Sequence, residues 1–217
     1  MLKTPQTDCW QGNFGREYSD RNVLDPQALD DFTFSNYGIR RRDLNQNFLA
    51  GIPRETRILE VGCNVGNQLL LLYEMGFRNL SGIEIQDYAL DRARMRLKDV
   101  NFQQASALQI PFPNAHFDLV FTAGVLIHIA PGDLPVAMKE IHRCARQYIW
   151  GFEYYSPETK EINYRGHQQL LWKMDYANAY LAQFPDLELV KNQQLPYLQN
   201  SNIDCMFLLR KNPSFGT

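Results

Sequence analysis

The chain predicts a doubly wound α/β fold, a mostly parallel sheet ending in an antiparallel hairpin. Three observations carry this. Short apolar strand-like runs alternate with helical ones from Arg57 onward. A glycine-bearing loop, Gly62 to Gly66, joins the first strand directly to a helix. The last two strand-like runs are separated only by Lys191 to Asp204, too little for a crossover helix, so they pair antiparallel.

Residues up to about Pro53 read as an aromatic-rich N-terminal extension of two helices, the second from Asn36 to Ala50, stopped by Gly51 and Pro53. Strand one is Arg57 to Val61, and its helix runs from Gly66 to Met75, closed by Gly76. Strand two is Leu80 to Ile85. Asp87 then caps a helix with Ala89, Leu90, Ala93 and Leu97 on one face. Val100 to Gln104 and the buried run Phe117 to Thr122 follow as strands. Asp133 caps the next helix, with Pro135 early and Leu134, Ala137, Met138, Ile141 and Cys144 as its apolar stripe. Tyr148 to Tyr154 is the fifth strand, Asp175 to Phe184 a helix, and Leu187 to Val190 with Cys205 to Leu209 the hairpin. This divides the chain into an extension or lid, 1–53, and a main domain, 54–217, with a loop insertion at about 154–173.

A length of 217 residues suits one well-buried domain, and 45% apolar with 21% charged residues is a globular composition. The net charge of −2 argues against a general nucleic-acid binder. No apolar run reaches membrane-spanning length, and the N-terminus lacks a signal-peptide core. Cys9, Cys63, Cys144 and Cys205 have no C-x-x-C spacing and read as reduced thiols of a cytoplasmic protein. His116, His128, His142 and His167 show no metal spacing, so no metal is expected; His116 and His142 read as surface residues.

The chemistry lies in Ile58-Leu59-Glu60-Val61-Gly62-Cys63-Asn64-Val65-Gly66-Asn67. Strand, glycine loop and helix let backbone amides approach a ligand closely, and Glu84, with Ile85 beside it, ends the next strand where an acid accepts from ribose hydroxyls. The spacing is E-x-G-x-x-x-G, not the G-x-G-x-x-G of nicotinamide or flavin binders. It points to S-adenosylmethionine and methyl transfer. Gly62 and Gly66 let the loop pass under the methionine moiety; Cys63 lies within it. Asn64 and Asn67 supply amides, and Glu60 faces the ammonium. At the carboxyl ends of later strands, Ser106-Ala107-Leu108 are candidate cofactor contacts and the small residues of Thr122-Ala123-Gly124 permit close approach.

Together with the hairpin ending, this loop resembles the class I S-adenosylmethionine-dependent methyltransferases, whose Rossmann-like sheet has seven strands. Cys9-Trp10-Gln11-Gly12-Asn13-Phe14-Gly15-Arg16-Glu17-Tyr18-Ser19-Asp20-Arg21-Asn22, Phe117 to Ile129, Glu153-Tyr154-Tyr155-Ser156-Pro157 and Tyr164-Arg165-Gly166-His167 are similar to a narrower family, described as pseudaminic acid biosynthesis-associated methylases. That resemblance implies a small acidic sugar or another carboxylate-bearing metabolite as acceptor. A peptide C-terminal carboxylate is the alternative, and a non-catalytic partner subunit the least favoured.

His128 becomes the candidate base, because methyltransferases of this build place a histidine near the substrate here. Glu153, Tyr154, Tyr155, Tyr164, Arg165 and His167 are candidate acceptor contacts, Arg165 as a carboxylate clamp with Glu158 or Glu161 as a competing ion-pair partner. Trp10, Phe14, Tyr18, Arg21 and Asn22 form a candidate lid. Arg40-Arg41-Arg42 reads as a solvated helix face.

Overall fold

Residues 3–212 are described in a computed structural model. The outermost residues of both expected segments lie outside that range. Seven strands form one sheet in the order β3-β2-β1-β4-β5-β9-β8: β1 Ile58–Val61, β2 Leu80–Glu84, β3 Asn101–Gln104, β4 Phe117–Ala123, β5 Ala145–Tyr154, β8 Leu187–Pro196 and β9 Ile203–Lys211. The first five are parallel, and β9 runs antiparallel between β5 and β8. The chain therefore reverses its winding between β1 and β4, the crevice where ligands of open α/β sheets bind.

Helices cover both faces. One layer holds α3 Pro26–Tyr37, α4 Arg41–Leu49, α5 Asn67–Glu74 and α6 Asp87–Arg96; the other holds α7 Leu134–Cys144 and α8 Tyr176–Gln183. Each face carries its own apolar cluster. Leu44, Phe48, Phe121, Trp150 and Phe152 lie in one, and Val120, Ile141, Ile149 and Phe207 in the other. β4 and β5, whose central residues are buried on both faces, supply both. Gly151 lies against the Phe207 ring, which a Cβ there would meet at 2.2 Å.

The extension differs from the expected two helices. It holds four, beginning with α1 Pro5–Gln11 and α2 Asn13–Arg21. Gly12 breaks the first pair, while Asp25 caps and Pro26 starts α3, which Gly38 ends in the left-handed region at φ 72°. The expected helix from Asn36 thus begins only at Arg41. Asp87 and Asp133 make no side-chain caps; Asp87 is instead the first residue of α6. The hairpin strands run well beyond their apolar centres, because β8 is an edge strand whose outer positions stay polar. Within the 154–173 insertion, β6 Lys160–Glu161 and β7 Trp172–Lys173 pair as a small ribbon.

Candidate functional site

The carboxyl ends of β1, β2 and β4 open into one cavity enclosing about 950 Å³ of empty space with its mouth. Gly62, Asn64, Glu84, Ile85, Ser106, Ala107, Leu108, Ala123, Gly124 and His128 line it from the sheet side, Trp10, Gly15, Tyr18 and Ser19 from α1 and α2.

The loop after β1 is shaped for close approach. Gly62 and Gly66 have φ of 72° and 77°, and Asn64 joins them in the left-handed region at 46°. A Cβ on Gly62 would meet Val125 Cγ2 at 2.6 Å. Glu84 organises the facing turn: its carboxylate accepts from the backbone N–H groups of Asn64 (3.0 Å), Ile85 (2.7 Å) and Gln86 (3.0 Å). Burial raises its pKa against those three donors. Two side-chain atoms of cavity-lining residues, Asn64 Oδ1 and Trp10 Nε1, are buried without hydrogen-bond partners. A lone acceptor, a lone donor and a glycine cradle are what a nucleoside amino acid would complete, so the residues fit S-adenosylmethionine.

Gln86 was not foreseen. Its side-chain amide donates to Trp10 O (2.9 Å) and Gly12 O (3.2 Å), fastening the α1–α2 junction to the turn that carries Glu84. Gln6 Nε2 fastens the same helix to Gln169 O in the insertion (2.9 Å). Gly15 permits the helix pair to close, since a Cβ there would sit 1.8 Å from Trp10 O.

His128 ends a one-turn 3-10 helix, Leu126–His128. Its Nδ1 lies 2.7 Å from Leu170 O, a pure acceptor, which places the proton on Nδ1 and leaves Nε2 with a free lone pair. Burial pulls its pKa down to about 4, so the ring is neutral at pH 7. Trp10 and Tyr164 flank it at ring-centroid distances of 4.5 and 5.2 Å. Phe14 bridges Tyr164 (6.0 Å) and His167 (5.0 Å), so lid and insertion meet in one aromatic wall. The Tyr18 phenol is raised in pKa by burial and then by Tyr164, Tyr154 and Glu84, with Arg165 opposing.

Several expected site residues serve the frame instead. Asn67 does not line the cavity: its Nδ2 donates to Asn22 O (2.6 Å) and its Oδ1 accepts from Leu24 N (3.2 Å) and Arg96 (2.6 Å). Asn22 is the other end of that tether, and Arg21 pairs with Glu17 on the surface. Cys63 points into the core toward Gly82, and Gly66 starts α5 against Ala93 and Leu97. Glu60 is buried below the loop, with Oε2 unpartnered and its pKa well raised by burial.

Thr122 hydrogen-bonds Glu153, whose carboxylate also accepts from Val125 N (3.2 Å) and Ile127 N (3.5 Å). Glu153 is thus a brace for the turn holding His128. Burial drives its pKa up to about 7 despite those donors. Tyr154, Tyr155, Tyr164, Arg165 and His167 lie beyond the cavity lining. Tyr155 N donates to Ile203 O, and Arg165, at φ 52°, stands 6.0 Å from the Tyr164 ring. His142 is half-buried, stacked 4.1 Å on Phe184 and bonded to Asp186, not a free surface group. His116 is also half-buried and stacks on Phe112. Arg41, expected on a solvated face, is buried.

Residues 59–148 match the family model described as "Methyltransferase domain". A cycloartenol-C-24-methyltransferase of Arabidopsis thaliana is 27% identical over 67% of this chain and 45% of its own length. The chain therefore spans less than half of that curated relative. A Burkholderia thailandensis 1,6-didemethyltoxoflavin-N1-methyltransferase, solved with 1,6-didemethyltoxoflavin and S-adenosylhomocysteine, superposes at a TM-score of 0.72, covering 98% of this chain and 92% of its own at 17% identity. Magnesium protoporphyrin IX methyltransferase of Synechocystis, with S-adenosylhomocysteine bound, superposes at 0.70, covering 95% and 98% at 12% identity. Sheet order, glycine loop and strand-end acid define the class I S-adenosylmethionine-dependent methyltransferase fold. Within that fold, residues 59–148 are the stretch similar to the methyltransferase domain model. Among the described residues no helix is long and apolar enough to cross a membrane.

Proposed function

We propose that the chain is an O-methyltransferase acting on a hydroxyl of a small acidic metabolite, a sugar acid before a peptide. One observation carries this: a neutral histidine, its Nε2 unprotonated, lines the same cavity as the glycine loop and Glu84. A carboxylate nucleophile is ionised at neutral pH and needs no base, whereas a hydroxyl must lose its proton. An imidazole whose Nε2 is free beside the glycine loop supports the hydroxyl reading.

S-adenosylmethionine supplies an electrophilic methyl group on sulfur. Glu84 would hold the ribose hydroxyls with its remaining lone pairs, and Asn64 Oδ1 and the Gly62 turn would hold the amino-acid end. His128 Nε2 would take the hydroxyl proton as the new C–O bond forms and the C–S bond breaks, leaving imidazolium, methyl ether and thioether. Glu153 keeps that ring's turn in place, and Trp10, Phe14 and Tyr18 exclude water as a lid. Labelled methyl transfer from S-adenosylmethionine into a panel of sugar acids tests the reading. His128→Ala should lose about 100- to 10,000-fold in kcat while S-adenosylhomocysteine affinity holds. An undiminished rate refutes the base.

A further inference from the structure

Unpartnered buried polar atoms are unevenly distributed. Twelve side-chain atoms of this kind occur among the described residues, and nine belong to Arg41, Asn45, Glu60, Gln68, Trp150 and Asp204. These six share one layer. Glu60 and Trp150 flank Phe121 in register across β1, β4 and β5, and Asp204 of β9 stands opposite Tyr154, on the face that carries Trp150 and Phe152. Arg41 and Asn45 are one turn apart on α4, which covers that face, and Gln68 is in the first turn of α5.

Arg41 is the centre. Its guanidinium carbon lies 3.7 Å from the Phe152 ring centroid, the residue is 7% exposed, and Nε and Nη1 have no hydrogen-bond partner. Asp204 and Glu60 act on it through space, but neither forms an ion pair with it among the described residues. Asp204 is itself half used: Tyr37 (2.5 Å) and Tyr197 (3.2 Å) donate to Oδ2, while Oδ1 is unpartnered. A buried cation with no directly paired anion is costly, and a ligand anion would complete it. Tyr37, Tyr154 and Tyr197, on the outer side of Asp204, are only partly buried, so this end of the layer reaches the surface. The candidate cofactor cavity is adjacent: Ala123 both lines it and packs against the apolar cluster that holds Trp150 and Phe152, and Gly124 N donates to Phe152 O (2.8 Å).

We propose that Arg41 holds the carboxylate of the methyl acceptor in a compartment bounded by Phe152, Tyr37, Tyr154, Tyr197 and Asp204. This rests on the methyltransferase reading and deepens it. A carboxylate forked onto a guanidinium has both oxygens engaged, so the acid is the handle and a hydroxyl elsewhere on the acceptor is methylated. Asp204 Oδ1 takes a hydroxyl or amide N–H of the same molecule. The matching class is a carboxylic acid bearing hydroxyl or acylamino groups. A sugar acid and a peptide C-terminus share that chemistry.

The test is calorimetric titration of the S-adenosylhomocysteine-loaded protein with N-acetylneuraminate and its C1 methyl ester, and with a short peptide acid and its C-terminal amide. One acid should bind at least about tenfold more tightly than its neutral counterpart, and which acid does so identifies the source. Arg41→Met, which keeps the chain over Phe152, should abolish that preference, leave S-adenosylhomocysteine affinity unchanged and raise the ligand-free Tm. Equal binding of acid and neutral form, no binding of either acid, a preference that survives Arg41→Met, or a fall in its Tm overturns the proposal. Should the variant not fold, the acid–ester comparison on the wild type decides. Failure of the wild type to bind S-adenosylhomocysteine refutes the methyltransferase reading instead.

Discussion

The indole of Trp10 and the imidazole of His128 meet at a centroid distance of 4.5 Å and an interplanar angle of 58°. One ring belongs to α1 and the other to the turn after β4, so the contact joins the first helix of the chain to the candidate base. Trp10→Ala removes that wall and its contacts to Phe14 and Tyr18. We expect kcat/KM to fall roughly 10- to 100-fold through lost alignment and admitted water. S-adenosylhomocysteine should also lose most of its effect on intrinsic fluorescence. A variant as active as the wild type would show that α1 is no lid.

His128 also sets a pH dependence of stability. Its pKa falls from 6.5 to about 4 on folding, so below pH 6.5 the unfolded chain takes up a proton that the folded chain refuses. Stability from the neutral ring is fully present above pH 6.5 and is lost as pH drops toward 4, by about 3 kcal/mol in total. Denaturant unfolding of wild type and His128→Gln across that window should show the wild type losing more. Parallel curves would mean the ring is not buried neutral.

Glu84 braces its own turn and faces the cavity. In Glu84→Gln the amide NH2 must oppose backbone N–H groups that the carboxylate now accepts from. Affinity for S-adenosylhomocysteine, read by calorimetry, should drop about tenfold or more. An unchanged value would remove Glu84 from the ribose site.

Asn67 gives the opposite pattern. Its side chain ties Asn22 O, Leu24 N and Arg96 together beneath the loop. Asn67→Ala should cost about 2 kcal/mol of stability while leaving cofactor affinity in place. A selective loss of affinity with intact stability would return Asn67 to the binding site.

The parallel alternation, the glycine loop and Glu84 were legible because each is written locally, in apolar runs, positive-φ glycines and a strand-end acid. Glu153, Thr122 and Asn67 make frame contacts that their stretches of sequence did not announce. Their partners lie far along the chain, as with Val125 for Glu153, and no spacing rule links them. Arg41 was misplaced for the same reason. Three arginines in a row look solvated, and only the packing of α4 on Phe152 selects the middle one for burial. Gln86 had one local sign, its place two residues after the strand-end acid Glu84, but its bonds to Trp10 and Gly12 span more than 70 residues of sequence.

Gln86 has a kinetic implication. The same short turn presents Glu84 to the cavity and clasps the first two helices, so tightening at either end is felt at the other. By thermodynamic reciprocity, a seated nucleoside strengthens the clasp and a closed clasp slows the nucleoside's escape. Turnover should then be sequential and ordered, the donor entering before the acceptor and the spent thioether departing last. Product-inhibition patterns would display that order directly.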